Sequence, residues 1–202
     1  YYRNIVFITI DNEQCKTHGY VDTSFTLRKL ISGWDKALYY FGVDNHTYDF
    51  IWFIEDDVFF YNENSILQID KKYSDDLLSN SYDEHNGTKS WHWHRITINY
   101  SPPYYNGMMC IVRISKTMMQ TIDDYANKNK TLFFLEALFP TLAIKNNLLY
   151  NTPHEFKTVH YRHEFQKESI NKYNLYHPVK NINEHVYFRN IPRRITLSFT
   201  PR

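Results

Sequence analysis

Three consecutive acids, Glu55, Asp56 and Asp57, interrupt an otherwise aromatic and β-branched stretch at residues 48–60 (YDFIWFIEDDVFF). Carboxylates are costly in a dry setting unless they are paired or hold a cation. Hard divalent cations such as Mg²⁺ and Mn²⁺ take carboxylate oxygens and share their shells with substrate phosphates. On an extended strand adjacent side chains point to opposite faces, so three acids in a row cannot converge there. A turn at the strand end lets two of them meet. The alternative is a solvated acidic turn, which the apolar flanks disfavour. The chemistry expected here is cation binding at the end of a buried strand, where open α/β sheets place their ligands.

The elements that must carry these acids follow from pattern. Residues 3–10 (RNIVFITI) read as a first buried strand ending at Asp11 and Asn12. Thr23 or Ser24 is expected to cap a helix carrying Phe25, Leu27, Leu30, Ile31, Trp34, Leu38 and Phe41. With the strand before Glu55 this gives a strand–helix–strand unit and a parallel pair. Further on, Asn64 caps a helix over residues 65–73, a short strand covers 76–79, and 81–90 (SYDEHNGTKS) is a loop. Strands are expected at 93–100, ended by Ser101-Pro102-Pro103, and at 108–114, entered through Asn106-Gly107. Ser115 caps a helix to about residue 128, and residues 131–147 form another, bent at Pro140. The final third is irregular, with short strands at 158–162 and 185–189.

Composition narrows the classes. The 202 residues are 43% hydrophobic and 18% aromatic, enough for a real core and incompatible with disorder. A net charge of +1 implies no polyanion-binding face, so no nucleic-acid partner is expected. The two cysteines, Cys15 and Cys110, have no metal or redox spacing and are read as reduced, which suggests the cytoplasm. Residues 132–144, the most apolar stretch, are short and broken by Glu136 and Pro140, so no transmembrane segment is expected. Four Asn-X-Ser/Thr sequons, at Asn45, Asn86, Asn99 and Asn129, read as chance matches in an Asn-rich chain. None of the five glycines are close enough for a G-x-G-x-x-G turn or a P-loop, so any bound phosphate must be neutralised by another device.

The apolar strand, acidic triplet and apolar continuation resemble the D-x-D element of GT-A-fold glycosyltransferases, which use nucleotide-diphosphate sugars. The resemblance implies one α/β domain over residues 1–202, with a central mixed, mostly parallel sheet flanked by helices. It makes Asp57 the metal ligand and Glu55 the contact to ribose or sugar hydroxyls, with Asp56 between them and unassigned; Glu55 replaces the first Asp of the motif. Residues 104–109 (YYNGMM) resemble the loop where donor or acceptor meets the backbone, through Asn106 and Gly107. Residues 134–140 (FLEALFP) resemble the segment bearing the catalytic base, here Glu136, although Ala137 stands where the family often has a second acid. A carboxylate among Phe133, Phe134 and Leu138 would have its pKa raised, as suits a general base; the alternative is a core-edge glutamate.

Residues 176–180 (YHPVK) match a late pair in which His177 completes the metal shell and Lys180 contacts the diphosphate. The alternatives are a loop histidine and a surface lysine, with His160, His163 and His185 as other candidate ligands. Asp11 and Lys36 would seat the nucleotide, although capping and surface ion pairing explain them equally well. Trp91, Trp93 and His94 read as acceptor contacts, since indoles stack on sugar rings, or as an aromatic core strand. In texture the chain is most similar to the N-terminal glycosyltransferase domain of multidomain enzymes from large chlorella viruses, which implies one module of a longer protein acting in the host cytoplasm.

The expected function is therefore transfer of a sugar from a UDP-glucose or UDP-rhamnose type donor to a glycan hydroxyl, with Mn²⁺ or Mg²⁺ as cofactor. A base on the acceptor side predicts inversion, with retention left open. Two other classes use the same residues. A metal-dependent phosphoesterase or nuclease would need more metal ligands, of which Asp11 is the obvious one. A glycan-binding module would need no diphosphate clamp.

Overall fold

The computed structural model describes residues 6–24, 30–43, 47–88 and 91–190. They fall into two compact units, the first within residues 1–54 and 74–153, the second within 55–73 and 154–202.

The first unit is built on a four-stranded sheet. Its strands are β1 (Phe50–Ile54), β3 (Leu77–His85), β4 (Tyr104–Ser115) and β5 (Tyr150–Asn151), in the order β1-β4-β3-β5. β4 runs antiparallel to both β1 and β3, and only β3 and β5 are parallel. The sheet is mixed and flanked by helices, as α/β patterning requires, but it is mostly antiparallel rather than mostly parallel. The reason lies at its start. Val6 to Ile10, the described part of the expected first strand, belong to no strand, and Val6 and Phe7 are exposed. Apolar composition favours a strand only where a neighbouring edge supplies cross-strand partners.

The central strand β4 is buried without interruption from Met109 to Ser115, as expected of a strand covered on both faces. It begins at Tyr104, directly after the Pro102-Pro103 break. Asn106-Gly107 is not a turn; it lies inside β4, where Asn106 pairs with Asp83 of β3. For the same reason β3 continues to His85 through residues with turn propensity: pairing with residues 104–106 of β4 outweighs local preference. The register shifts between Leu78 and Asn80 and again between Asn80 and Asp83.

Helices close the core. Ser115 ends β4 and accepts the Met118 N–H, capping α4 (Lys116–Asn129) as expected. Met118, Met119, Ile122, Tyr125 and Ala126 then form its buried stripe. α5 (Leu135–Lys145) packs along β4 and starts four residues later than expected. Thr141 of α5 accepts the Tyr105 N–H and donates to the Tyr105 carbonyl, both at 3.0 Å, tying this helix to the strand. α2 (Gly33–Val43) starts at a reciprocal cap rather than at Thr23 or Ser24. The Ser32 hydroxyl accepts the Asp35 N–H while the Asp35 carboxylate accepts the Ser32 N–H. Phe25 and Leu27, expected on this helix, lie outside the described residues. α1 (Asn12–Thr17) is followed by Gly19 at φ +82°, where a Cβ would strike the Ala126 carbonyl.

Residues 93–95 form a 3₁₀ turn instead of the expected strand. Trp93 is buried and stacks on His85 and Tyr104, so ring packing fixes this segment in place of a backbone ladder.

The second unit carries a two-stranded antiparallel ribbon, β2 (Phe59–Phe60) with β6 (Leu175–Tyr176). Its core gathers Phe59, Tyr176, Val179 and Phe188. α3 (Glu63–Lys72) is capped by Asn62, whose side chain accepts the Asn64 N–H, so the cap lies two residues before the expected Asn64. Residues 185–189 are helical, within α6 (Ile182–Arg189), because the Asn181 side chain caps that segment by accepting the Asn183 N–H. Of the expected strand at 158–162, a single bridge forms, between Val159 and His177.

Candidate metal centre and the other site residues

The acidic triplet turns as its composition demands. β1 stops at Ile54, and the Val58 N–H donates to the Glu55 carbonyl at 3.2 Å, closing a four-residue turn. Glu55 and Asp57 are half-buried while Asp56, between them, is exposed. Buried Val58 and Phe59 fix the far side of the turn. Pairing of Phe59 with Tyr176 across β2 and β6 then brings the next residue, His177, to the triplet. The Val179 N–H donates to the Asp57 carbonyl at 2.7 Å and locks this approach.

Glu55, Asp57 and His177 each offer one donor atom, and the three atoms lie within 4.8 Å of one another. An ion with ligand distances of about 2.0–2.6 Å reaches across such a gap. His177 Nε2 is 3.3 Å from Asp57 Oδ1. That oxygen is buried and accepts no hydrogen bond. Meanwhile His177 Nδ1 lies 2.6 Å from the His160 carbonyl, which can only accept, so Nδ1 carries the proton. In the neutral ring Nε2 therefore aims a lone pair at the Asp57 oxygen. Two acceptors face each other, an arrangement that a proton or a cation must relieve. A carbonyl on the distal nitrogen is also how metal-ligating histidines are oriented. Two carboxylates and an imidazole could hold a divalent metal ion.

Two histidines considered as alternative ligands support the centre instead. Burial, with His163 and His177 beside it, pushes the His160 imidazole below its ordinary value. Its carbonyl orients His177, and its ring packs 4.9 Å from that of His163. His185 is buried against Phe59, and its Nε2 donates to the Val179 carbonyl at 2.7 Å, steadying the 177–180 segment. Only a residue's place in the chain is legible from sequence, so neither supporting role left a signal there. Lys180 is exposed and borders a cleft of about 630 Å³ that His163, Pro178 and Glu184 also line.

The remaining expected residues belong to the first unit. Glu136 is half-buried in the first turn of α5, and Pro140 cannot donate to its carbonyl four residues back. Asp11 is exposed, and its carboxylate caps α1 by accepting the Glu13 and Gln14 N–H groups, so it ends no strand. Lys36 is half-buried in the first turn of α2. Trp91 is half-buried and packs 4.8 Å from Trp93 and 5.5 Å from Phe134, while His94 is exposed. Trp93 is buried in the hydrophobic core, with ring contacts to Trp91, His85 and Tyr104. Asn106 and Gly107 are half-buried within β4.

Cys15 and Cys110 are both buried, and neither is in a disulfide. Among the described residues no helix is long and apolar enough to cross a membrane. Compared with models of known families and with curated protein sequences, the chain matches none.

Proposed function

We propose that this chain is a metal-dependent glycosyltransferase of the GT-A type, moving a sugar from a UDP-sugar donor to a glycan hydroxyl. The observation that carries the reading is the convergence of Glu55, Asp57 and His177, with the buried Asp57 oxygen and the His177 lone pair facing each other. These are the acid and the histidine whose order along the chain resembles that family. Asp57 and His177 would hold Mn²⁺ or Mg²⁺, and Glu55 would contact ribose or sugar hydroxyls. When bound, the ion would neutralise charge on the departing nucleoside diphosphate. Lys180 extends from the same segment as His177 and would pair with diphosphate oxygens. Glu136 would take the proton of the acceptor hydroxyl as its oxygen attacks the anomeric carbon, which predicts inversion. A phosphoesterase would call on Asp11 as a further ligand, and that carboxylate is engaged in capping α1.

The test is donor hydrolysis and thermal shift over a panel of nucleotide sugars, with and without Mn²⁺. The expected result is a metal-dependent shift of several degrees with at least one donor, since ligand at a hundred times its Kd stabilises by about 2.7 kcal/mol. No metal-dependent shift with any nucleotide sugar would sink the proposal.

A further inference from the structure

In the first unit the end of α1, the 21–24 segment, the 95–97 segment and the 129–134 connection enclose a cleft of about 800 Å³. That volume is typical of small-molecule sites. Lys16, Arg95 and Lys130 approach it from three separate elements, against one acid, Asp22. Lys16 also pairs with Glu13 at 2.7 Å, but Glu13 does not line the cleft, and exposed pairs of this kind are weak. Asp22 accepts the Thr131 hydroxyl at 3.2 Å. Among the described residues three cations and one acid thus line the cleft, although the chain as a whole is nearly neutral.

The rest of the lining adds a second requirement. Leu132 and Phe133, almost fully buried, and the half-buried Phe134 give an apolar wall. Thr97, Asn129 and Thr131 add hydroxyl and amide groups of the kind that bond sugar hydroxyls. Phe134 is also the residue at which α5 begins, two positions before Glu136.

We infer that this cleft binds an anionic saccharide, one bearing a carboxylate or a phosphate, as the acceptor. The acceptor role rests on the glycosyltransferase reading; the anion-binding role does not. Lys16, Arg95 and Lys130 take the anionic group, the polar side chains take ring hydroxyls, and the apolar wall takes the ring's C–H face.

Binding of four probes is measured by calorimetry on the metal-free and donor-free chain: glucose, glucuronic acid, glucose 6-phosphate and inorganic phosphate. The two charged sugars should bind more tightly than glucose, and which of them leads distinguishes carboxylate from phosphate. Their affinity should fall as salt approaches about 1 M, where the Debye length is about 3 Å. Arg95→Gln and Lys130→Asn should each weaken them roughly tenfold, with melting temperatures read alongside to separate lost binding from lost fold. Asp22→Asn should tighten binding, since asparagine tolerates the φ of +74° at this position and still accepts from Thr131. Equal binding of glucose, no binding of either charged sugar, or indifference to both cation variants would overturn the inference. Inorganic phosphate matching glucose 6-phosphate would overturn the saccharide class. Transfer to neutral acceptors only would remove the acceptor role and keep the reaction. Anion binding without transfer from any donor would remove the reaction and keep the cleft.

Discussion

His177 donates from Nδ1 to the carbonyl of His160 at 2.6 Å, and this one bond decides which ring nitrogen meets Asp57. Because the carbonyl holds the proton on Nδ1, the other nitrogen is left as a lone pair against a buried carboxylate oxygen that has no hydrogen bond. A proton on that nitrogen or a cation between the two atoms relieves the contact.

That arrangement makes an opposite-signed prediction for Asp57→Asn. An amide nitrogen at the Oδ1 position donates to His177 Nε2, so the metal-free protein should gain about 0.5–1.5 kcal/mol. The same variant should lose the Mn²⁺-dependent thermal shift. Denaturant unfolding with and without chelator checks both halves; a destabilised metal-free Asp57→Asn would show that no repulsion is being relieved.

Glu136→Gln separates binding from chemistry. The metal group lies in residues 55–57 and 177, so the Mn²⁺ shift should survive the change. Sugar transfer should fall by roughly 10²–10⁴-fold, the usual worth of a general base. Single-turnover assays with a donor that gives a thermal shift decide it, and normal transfer would place the base elsewhere.

Asp35 predicts a pH dependence. Burial pushes its carboxyl above the ordinary value, outweighing hydrogen bonds from Ser32 and Thr23 that lower it. A folded-state pKa raised above the unfolded one, about 3.9, contributes stability that is fully present below that pH. The contribution is lost as pH rises through the folded value. Asp35→Asn should cost about 1–3 kcal/mol by opposing its amide to backbone donors. The gap between wild type and variant should narrow as pH rises from the acid range, as urea midpoints across pH will show.

Gly42 and Tyr20 form a steric pair. A Cβ at Gly42 would collide with the Tyr20 hydroxyl, which donates to Asp123 at 2.7 Å. Burial and the adjacent Asp123 push the Tyr20 phenol upward, so it stays a donor. Gly42→Ala should destabilise by about 1–3 kcal/mol through overpacking. Tyr20→Phe in the same chain should recover part of the loss, a coupling that a double-mutant cycle measures.

Features governed by a few adjacent residues were legible in the sequence. Ser115 caps α4 because a hydroxyl at that position reaches the Met118 N–H whatever the rest of the chain does. The acidic triplet bends and brings two of its members to one side because three neighbouring carboxylates have no other way to converge. The strand at 108–114 was also legible from its apolar run, although Arg113 within it is buried too.

What required distant partners was not legible. The direction of the sheet depends on which edges strands find: β1 pairs antiparallel with β4, while the parallel partner expected at 3–10 forms no strand over its described residues 6–10. Residues 81–85 became strand and 93–95 a turn because of Tyr104 and its neighbours, not because of their own propensities. His177 was singled out among ten histidines only by resemblance, and the Phe59–Tyr176 pairing is what sets it beside Asp57. Sequence alone named the acids that the turn brings together. Tertiary structure set the His177 imidazole against Asp57 and oriented its ring, because a lone pair has a direction only once the backbone around it is fixed.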